Sequence, residues 1–360
     1  MTPHLRLASV DLACPALPTM IVAGPCSAES HDQVMSTAGS LSRLGVRCFR
    51  AGLWKPRTRP GGFEGVGHDG LSWLTEVKER FGMKVATEVA CADHAEAALA
   101  AGVDVLWIGA RTSADPFAMQ SIADVLKRAP EITVLVKNPI SADVDLWIGA
   151  LQRLNQAGIT RLAAVHRGYA SNHEHLFRNR PGWDVAIELK RLCPGLPILC
   201  DPSHIGGKRD FVASLAGQAV SMGFDGLMVE VHCSPETALS DAEQQLSPDE
   251  FASLLASLTP RHQAPASAEL EQLRQRIDEC DRELVELLSR RLDIARRIGA
   301  IKQSRRMPVV QTDRFDTVLK RQCRLAEEAG ISTSFVADIM HTIHHEAIRI
   351  QLEDESGNLS

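Results

Sequence analysis

At 360 residues the chain is longer than a typical single small domain, and length alone suggests two or so. A formal charge of −6 with 44% hydrophobic residues describes a globular protein, and the lack of any sustained basic run argues against nucleic acid as its main partner. Nine cysteines without close spacing fit a reduced, cytoplasmic setting better than a disulfide scaffold. The N-terminal stretch lacks the apolar core of a signal peptide, and no apolar run reaches membrane-spanning length.

Taken in chain order, short apolar, β-rich runs recur through the first two thirds: "TMIVAG", "RCFRAG", "KVATEV", "VLWIGA", "TVLVKN", "RLAAVH", "PILCD" and "GLMVEV". Each interval is long enough for a helix and two loops, which is the rhythm of a (β/α)8 TIM barrel. One such helix is "DHAEAALAAG", with Asp93 expected as its N-cap and Gly102 as its stop. A doubly wound sheet is the rival, but the chain carries no dinucleotide fingerprint, which favours the closed barrel.

In a barrel the C-terminal strand ends face the active site, and here nearly all are polar. In order they carry Cys26; Arg50, with Lys55 and Arg57 just beyond; Glu88; Arg111; Lys137; His166 and Arg167; Asp201 and His204; and Glu230, with Asp241 in the following loop. A buried strand that finishes on a carboxylate needs a cation, a metal or a hydrogen-bonded network. Closure places the last strand beside the first and the seventh, so Cys26, His204, Glu230 and Asp241 share one sector. A thiolate, an imidazole and two carboxylates suit a divalent transition metal, Mn, Fe, Co or Zn. Arg50, Lys55, Arg57, Arg111, Lys137 and Arg167 would repel one another in one mouth unless anions filled it, and Arg matches phosphate and carboxylate bidentately. Metal-assisted carbon–carbon bond formation between phosphorylated small molecules is the reading these groups support. Metal-dependent phosphoester hydrolysis is the competing class.

The motifs "GPCSAES", "FRAGLWKPRT", "GAR", "DPSHIGGKRD" and "VEVHCSPETALSD" resemble those of type I 3-deoxy-D-arabino-heptulosonate 7-phosphate (DAHP) synthases of the β subgroup, over Leu17 to Leu258. The resemblance implies Cys26, His204, Glu230 and Asp241 as metal ligands, with Cys26, Lys55 and His204 in catalysis. It implies phosphoenolpyruvate held by Arg50, Lys55, Arg111, Lys137 and Arg167, and erythrose 4-phosphate met by Lys55, Pro56, Arg57 and Thr58. "KPRT" separates this group from the related 8-carbon sugar-acid synthases, which typically show Ala-Asn-Arg-Ser there. His166 departs from the family, whose members often have Glu at that position.

After Leu258 the composition changes. The expected organisation is a barrel over 1–258, a linker "TPRHQAPASA" over 259–268, a helical domain over 269–353 and a tail over 354–360. Leu270, Leu273, Ile277, Leu284, Leu287, Leu288, Ile294, Ile298 and Ile301 form a helical stripe within 270–302. At ~1.5 Å per residue this helix is roughly 50 Å long and needs partner helices. Two shorter helices, near 311–329 and 333–352, complete a three-helix all-α domain, with Gly330 as the stop between them. Arg291 interrupts the stripe and Lys302 lies about three turns on, nearly on the same face. Arg274 is too far back to share their ligand unless a second chain supplies it, which demands a homodimer.

"LRQRIDECDRELVELLSRRLDIARRIGAIK" resembles the first helix of the all-helical chorismate mutases, which form interlocked dimers. The resemblance implies Arg274 of the other chain, Arg291, Lys302, Arg314 and Gln351 as the chorismate and prephenate site, with Lys302 and Gln351 as donors at the ether oxygen. Gln311 and Phe315 stand where the family usually has Asp and Glu, and Ala347 where it has Ser. A domain that only dimerises and senses a ligand is therefore the alternative. Together the two resemblances imply a bifunctional enzyme of aromatic amino-acid biosynthesis; because its two reactions would lie several steps apart, chorismate or prephenate bound through Arg291 and Lys302 is expected to inhibit the barrel.

Overall fold

The computed structural model describes residues 4–14, 17–55, 61–170, 176–258, 267–310 and 312–356. Pro56, Arg57, Thr58 and Gln311 lie outside the described residues, as does most of the expected linker. The chain divides into two compact units, Met1–His262 and Gln263–Ser360.

A short strand β1 (Ala13–Cys14) precedes the eight expected runs, which become β2 (Leu17–Gly24), β3 (Cys48–Arg50), β4 (Lys84–Val89), β5 (Val105–Ile108), β6 (Thr133–Lys137), β7 (Leu162–His166), β8 (Ile198–Cys200) and β9 (Gly226–Glu230). From β2 onward each strand pairs in parallel with the next. Strand β2 also pairs with β9, from Met20 opposite Gly226 to Gly24 opposite Glu230, so the sheet closes. The connections carry α1 (His31–Arg43), α2 (Asp69–Phe81), α3 (Ala92–Ala100), α4 (Pro116–Leu126), α5 (Val144–Gln156), α6 (Trp183–Leu192), α7 (Pro202–Gly206) and α8 (Arg209–Ser221); α9 (Pro248–Ser257) follows β9 behind a Ser247–Glu250 capping box.

Period-two alternation sorts the strand side chains into two cores. One set faces the helices. The other fills the barrel: Val22, Cys48, Ala86, Val105, Trp107, Leu135, Ala163, Val165, Leu199 and Met228 form one buried cluster. Val10 and Leu12 join that cluster, and the antiparallel pair β1–β2 fixes the arm that carries them. Nothing in the sequence had marked this arm as part of the core.

Helix α3 starts one residue earlier than its expected cap. Cys91 is the N-cap, without a side-chain hydrogen bond, and Asp93 sits in the first turn, where a carboxylate favours the helix dipole without capping it. Gly102 does adopt the left-handed stop, at φ 71°.

The second unit contains α10 (Ala268–Ser304), α11 (Thr312–Glu328) and α12 (Thr333–Ser356). Ser267 caps α10 by accepting from the Leu270 N–H at 3.2 Å, so the end of the expected linker belongs to the helix start. Gly330 turns the chain between α11 and α12 at φ 69°. Helix α12 packs against both α10 and α11. Much of the α10 stripe is left uncovered by α11 and α12: Ile277 is 60% exposed and Leu287 56%.

Candidate active sites at the barrel mouth and in the helical unit

The inward parity of each strand runs on into the mouth. Beyond Cys48 it reaches Arg50; beyond Ala86, Glu88; beyond Leu135, Lys137; beyond Val165, Arg167; beyond Leu199, Asp201; beyond Met228, Glu230. Cys26 continues β2 and Arg111 continues β5 in the same way. The polar residues thus sit where the interior side-chain column meets solvent. Two glycines make room for them. A Cβ on Gly24 would come within 2.1 Å of the Arg50 carbonyl, and one on Gly109 within 2.2 Å of Glu88 Oε1.

Cys26, Glu230 and Asp241 each offer a ligand atom, all within 4.8 Å of one another. Cys26 Sγ donates to Asp241 Oδ2 at 3.2 Å and receives Lys55 Nζ at 2.9 Å. Glu230 is fully buried, with Oε1 accepting from Arg50 Nη2 at 3.1 Å and Oε2 from Gln244 Nε2 at 2.6 Å. His204 stands at the edge of this trio. Its Nδ1 lies 2.9 Å from Asp201 Oδ2 and 3.7 Å from Glu230 Oε1, without hydrogen-bond alignment to either. Asp201 places it: as N-cap of α7, its Oδ1 accepts from the His204 N–H at 3.0 Å.

The donor set fits a divalent cation. Burial, reinforced by Glu230 and opposed by Lys55, pushes the Cys26 thiol up to about 12, so ionisation needs a stronger positive charge beside it. Burial lowers the His204 pKa, against the pull of Asp201, so the imidazole gives up its proton to a metal ion more readily. Burial pushes the Glu230 and Asp241 carboxyls up, but cationic neighbours outweigh it. His204 and Arg50 keep Glu230 below the usual range, and Arg178 and His204 do so for Asp241. Two carboxylates, a buried thiol and an unaligned imidazole nitrogen are the mixed set that borderline metals accept.

A cavity of about 210 Å³ beside the trio is lined by Lys55, Glu88, Arg111, Lys137, Arg167, Arg178, His204 and Asp241. Lys137 Nζ meets Asp201 Oδ2 at 2.7 Å, and Arg167 Nη1 donates to Asn179 Oδ1 at 2.7 Å. Arg50 is 1% exposed and stacks its guanidinium 4.7 Å from the Trp107 ring centroid, yet its Nε and Nη1 have no partner. Arg167 Nε is likewise unpartnered, and burial, with Arg178 and Arg111 nearby and Asp201 opposing, lowers its pKa to about 10. Buried guanidinium donors without acceptors, crowded by other cations, are the signature of an anion site.

Two residues at this mouth escaped the sequence reading. Arg178 comes from a loop, not a strand end, and Gln244 is uncharged; no periodicity or charge pattern singled out either. His166 falls outside the site. It sits on the opposite parity of β7 from Arg167 and packs among Trp183 (5.1 Å between ring centroids), Tyr169 (5.6 Å), Phe224 (6.0 Å) and Trp147 (6.4 Å). Neither ring nitrogen has an aligned hydrogen bond, and burial, against a weak upward pull from the Pro181 carbonyl, lowers its pKa from 6.5 to about 4. The folded barrel therefore holds neutral His166, whereas the unfolded chain takes a proton below about pH 6.5. Stability is full above that pH and is lost as pH falls toward 4, by about 2 kcal/mol at pH 5. Denaturant melts at pH 7 and pH 5 should show this loss in the native chain and not in His166→Leu. Equal pH sensitivity of both would assign it elsewhere.

In the helical unit, a cavity of about 430 Å³ is lined by Arg291, Lys302, Arg314 and Gln351 together with Ile298, Phe315, His344 and Ala347. Four of the five expected substrate-binding positions therefore converge within one chain. Arg274 does not: it is exposed and paired with Glu271 at 2.6 Å, about 25 Å along α10 from Arg291. Lys302 Nζ donates to the Val309 carbonyl at 2.5 Å. Gln351 Nε2 donates to the Ala347 carbonyl at 3.1 Å, while Gln351 Oε1 is buried without a partner. No carboxylate lines this cavity among the described residues; Phe315 instead stacks on His344 at 4.0 Å.

The barrel thus sets an acidic-thiol cluster beside a cation-lined cavity, and a separate three-helix unit with its own cationic cavity follows it in the chain. Residues 15–264 match the DAHP synthetase I family and residues 273–352 match chorismate mutase type II. The chain belongs to the DAHP synthetase I family and carries a C-terminal chorismate mutase domain, the make-up of a bifunctional shikimate-pathway enzyme. It is 37% identical to phospho-2-dehydro-3-deoxyheptonate aldolase of Thermotoga maritima over 66% of this chain and 68% of that protein. It is 28% identical to 2-dehydro-3-deoxyphosphooctonate aldolase of Rhodopseudomonas palustris, over 68% of this chain and 88% of the relative. The crystal structure of the Thermotoga maritima DAHP synthase superposes with a TM-score of 0.59 at 31% identity, covering 71% of this chain and 69% of that one. A truncated form of 3-deoxy-D-arabino-heptulosonate 7-phosphate synthase from the same organism gives a TM-score of 0.57 at 33% identity, over 66% of this chain and 83% of that one.

Proposed function

We propose that the barrel condenses phosphoenolpyruvate with erythrose 4-phosphate and water to DAHP and phosphate at a divalent-metal site, and that the helical unit rearranges chorismate to prephenate. The observation that carries the first half is the contiguity of the two sets: the Cys26–Glu230–Asp241 cluster adjoins the cavity lined by Lys55, Arg111, Lys137 and Arg167. A hydrolase needs the metal and one phosphate pocket, whereas this cation set is large enough for two anionic substrates side by side.

Cys26, His204, Glu230 and Asp241 would hold the ion, Mn, Fe, Co or Zn, which when bound supplies Lewis-acid polarisation of the aldehyde. Arg50, Arg111, Lys137 and Arg167 bind the phosphate and carboxylate of phosphoenolpyruvate. Lys55 reaches the junction between the two substrates, with Arg57 and Thr58 of "KPRT" taking the second phosphate. Arg111→Ala should raise the KM for phosphoenolpyruvate by about 10- to 100-fold, the loss of one charge-assisted contact, with a smaller change for erythrose 4-phosphate. Initial-rate kinetics varying each substrate in turn check this, and an unchanged phosphoenolpyruvate KM would remove Arg111 from the site.

In the helical unit Arg291 and Arg314 hold the two carboxylates, and Lys302 and Gln351 donate to the ether oxygen as its bond lengthens. The reaction needs no nucleophile, only a held conformer. The uncovered stripe of α10 and the distant Arg274 support a homodimer in which each cavity borrows Arg274 from the other chain. The cavity's want of a carboxylate favours a second reading, in which the helices dimerise and sense the ligand without turning it over. Prephenate formation by the purified protein separates the two.

Chorismate or prephenate bound at Arg291 and Lys302 would inhibit the barrel, reporting a downstream product to the entry step, in a protein of the cytoplasm. Such coupling is typically worth about 1–3 kcal/mol, or 5- to 150-fold, and is reciprocal for binding. Barrel activity of the full chain should therefore fall with added prephenate, while a truncation after Leu258 stays insensitive. Equal sensitivity of both would place the inhibition in the barrel itself.

A further inference from the structure

The two carboxylates of the metal-facing cluster are held from behind by one continuous bridge. Arg178 Nη1 stands 3.1 Å from Asp241 Oδ1 and donates to Gln244 Oε1 at 2.6 Å. Gln244 Nε2 in turn donates to Glu230 Oε2 at 2.6 Å. The opposite oxygens face the thiol and imidazole: Asp241 Oδ2 meets Cys26 Sγ, and Glu230 Oε1 turns toward His204 Nδ1. Both ends of the bridge therefore tie up the outward oxygen, while the inward one faces the cluster, where Glu230 Oε1 also accepts from Arg50 Nη2 at 3.1 Å.

Each part of the bridge matches its task. Asp241 has φ 50°, an uncommon left-handed conformation that sends its side chain back toward β9 and gains from a fixed partner. Gln244 is 1% exposed and uncharged, so one amide can accept from a cation and donate to a carboxylate at once. Arg178 is seated in turn by its backbone N–H on the Gly206 carbonyl at 3.2 Å. Its side chain lies against Gly207, where a Cβ would come within 2.4 Å of Arg178 Cβ. Gly206 ends the short helix that carries His204, so Arg178 ties that helix, through its backbone N–H, to Asp241 through its guanidinium and to Glu230 through Gln244.

We propose that Arg178 and Gln244 are positioning residues that orient Glu230 and Asp241 as one unit toward the metal, Arg178 acting on Glu230 only through Gln244. The inference rests on the metal reading of the cluster. Outer partners of this kind typically account for 10- to 100-fold in metal affinity.

The experiment is titration of the metal-stripped full chain with Mn(II), following free Mn(II) by its electron paramagnetic resonance signal, for the wild type, Arg178→Met, Gln244→Leu and the double variant. The expected result is one site per chain, weakened 10- to 100-fold in each single variant. The double variant should be no weaker than the poorer single, because both break the same bridge. In steady-state assays kcat should fall at sub-saturating metal and recover with excess, with the KM for phosphoenolpyruvate little changed. Arg178 is 44% exposed, so Arg178→Met is the deciding variant should Gln244→Leu fail to fold. Unchanged Mn(II) affinity with a raised KM would make Arg178 a substrate contact and overturn the proposal. Single effects that multiply in the double variant would mean that two separate contacts exist and would also overturn it. A wild type that takes up no Mn(II), Fe(II), Co(II) or Zn(II) would instead defeat the metal reading itself.

Discussion

Replacing Cys26 with alanine removes DAHP formation by about a thousandfold while the barrel stays folded. Lewis-acid stabilisation is worth several kcal/mol, and each ~1.4 kcal/mol is tenfold in rate, so losing the ion costs on the order of 10³. The structure says why this thiol matters to the ion. Cys26 is fully buried beside Glu230 and Asp241, and without it these carboxylates keep His204 as their one remaining fellow ligand, amid the competing charges of Arg50, Lys55 and Arg178. The truncation itself removes one sulfur from a packed site, a loss of about 1 kcal/mol that thermal unfolding would register as a shift of a few degrees. Metal content by elemental analysis should fall with the activity. A Cys26→Ala protein that keeps its metal and turns over normally would reduce Cys26 to a core thiol.

Arg291→Ala should lower chorismate turnover by about 10²- to 10³-fold, since truncating one partner of a desolvated charge pair costs roughly 2–5 kcal/mol. The cavity wall offers three cations, Arg291, Lys302 and Arg314, and no described carboxylate to compensate them, so a dianionic ligand must do so. Arg274→Ala should show a comparable loss although Arg274 lies outside the cavity of its own chain. Mixing the two inactive variants and allowing subunits to exchange then restores roughly a quarter of the sites, because one site of each mixed dimer receives both arginines. No recovery in a refolded mixture would contradict the borrowed arginine.

Much of this architecture was legible because it repeats. The eight apolar runs set the barrel, and simple alternation carries Arg50, Glu88, Lys137, Arg167, Asp201 and Glu230 into its mouth. The same rule, applied strictly, would have placed His166 outside the site, since it is one residue off the inward register of Val165 and Arg167. The α10 stripe was legible for the same reason, and its exposure in a single chain is what a partner-seeking stripe looks like. The parts that escaped are those without a period. The N-terminal arm fills the barrel floor with only Val10 and Leu12. Arg178 reaches the cluster from a loop whose course depends on tertiary contacts with Gly206 and Gly207. Gln244 and Gln245 carry no charge to betray them, yet Gln245 Oε1 accepts from the Cys26 N–H at 2.9 Å. Asp93 was a sound local choice of cap, but the helix starts one residue earlier, with Cys91 as an N-cap that makes no side-chain hydrogen bond.

The most direct test of a metal-dependent synthase and a metal-free mutase on one chain is a paired assay of the purified full-length protein. DAHP formation and prephenate formation are measured on one preparation as isolated, after exhaustive chelation, and after adding back Mn(II), Fe(II), Co(II) or Zn(II). DAHP formation should disappear on chelation and return with at least one of these ions, while prephenate formation holds steady throughout. Full DAHP formation from protein shown by elemental analysis to be metal-free would contradict the account.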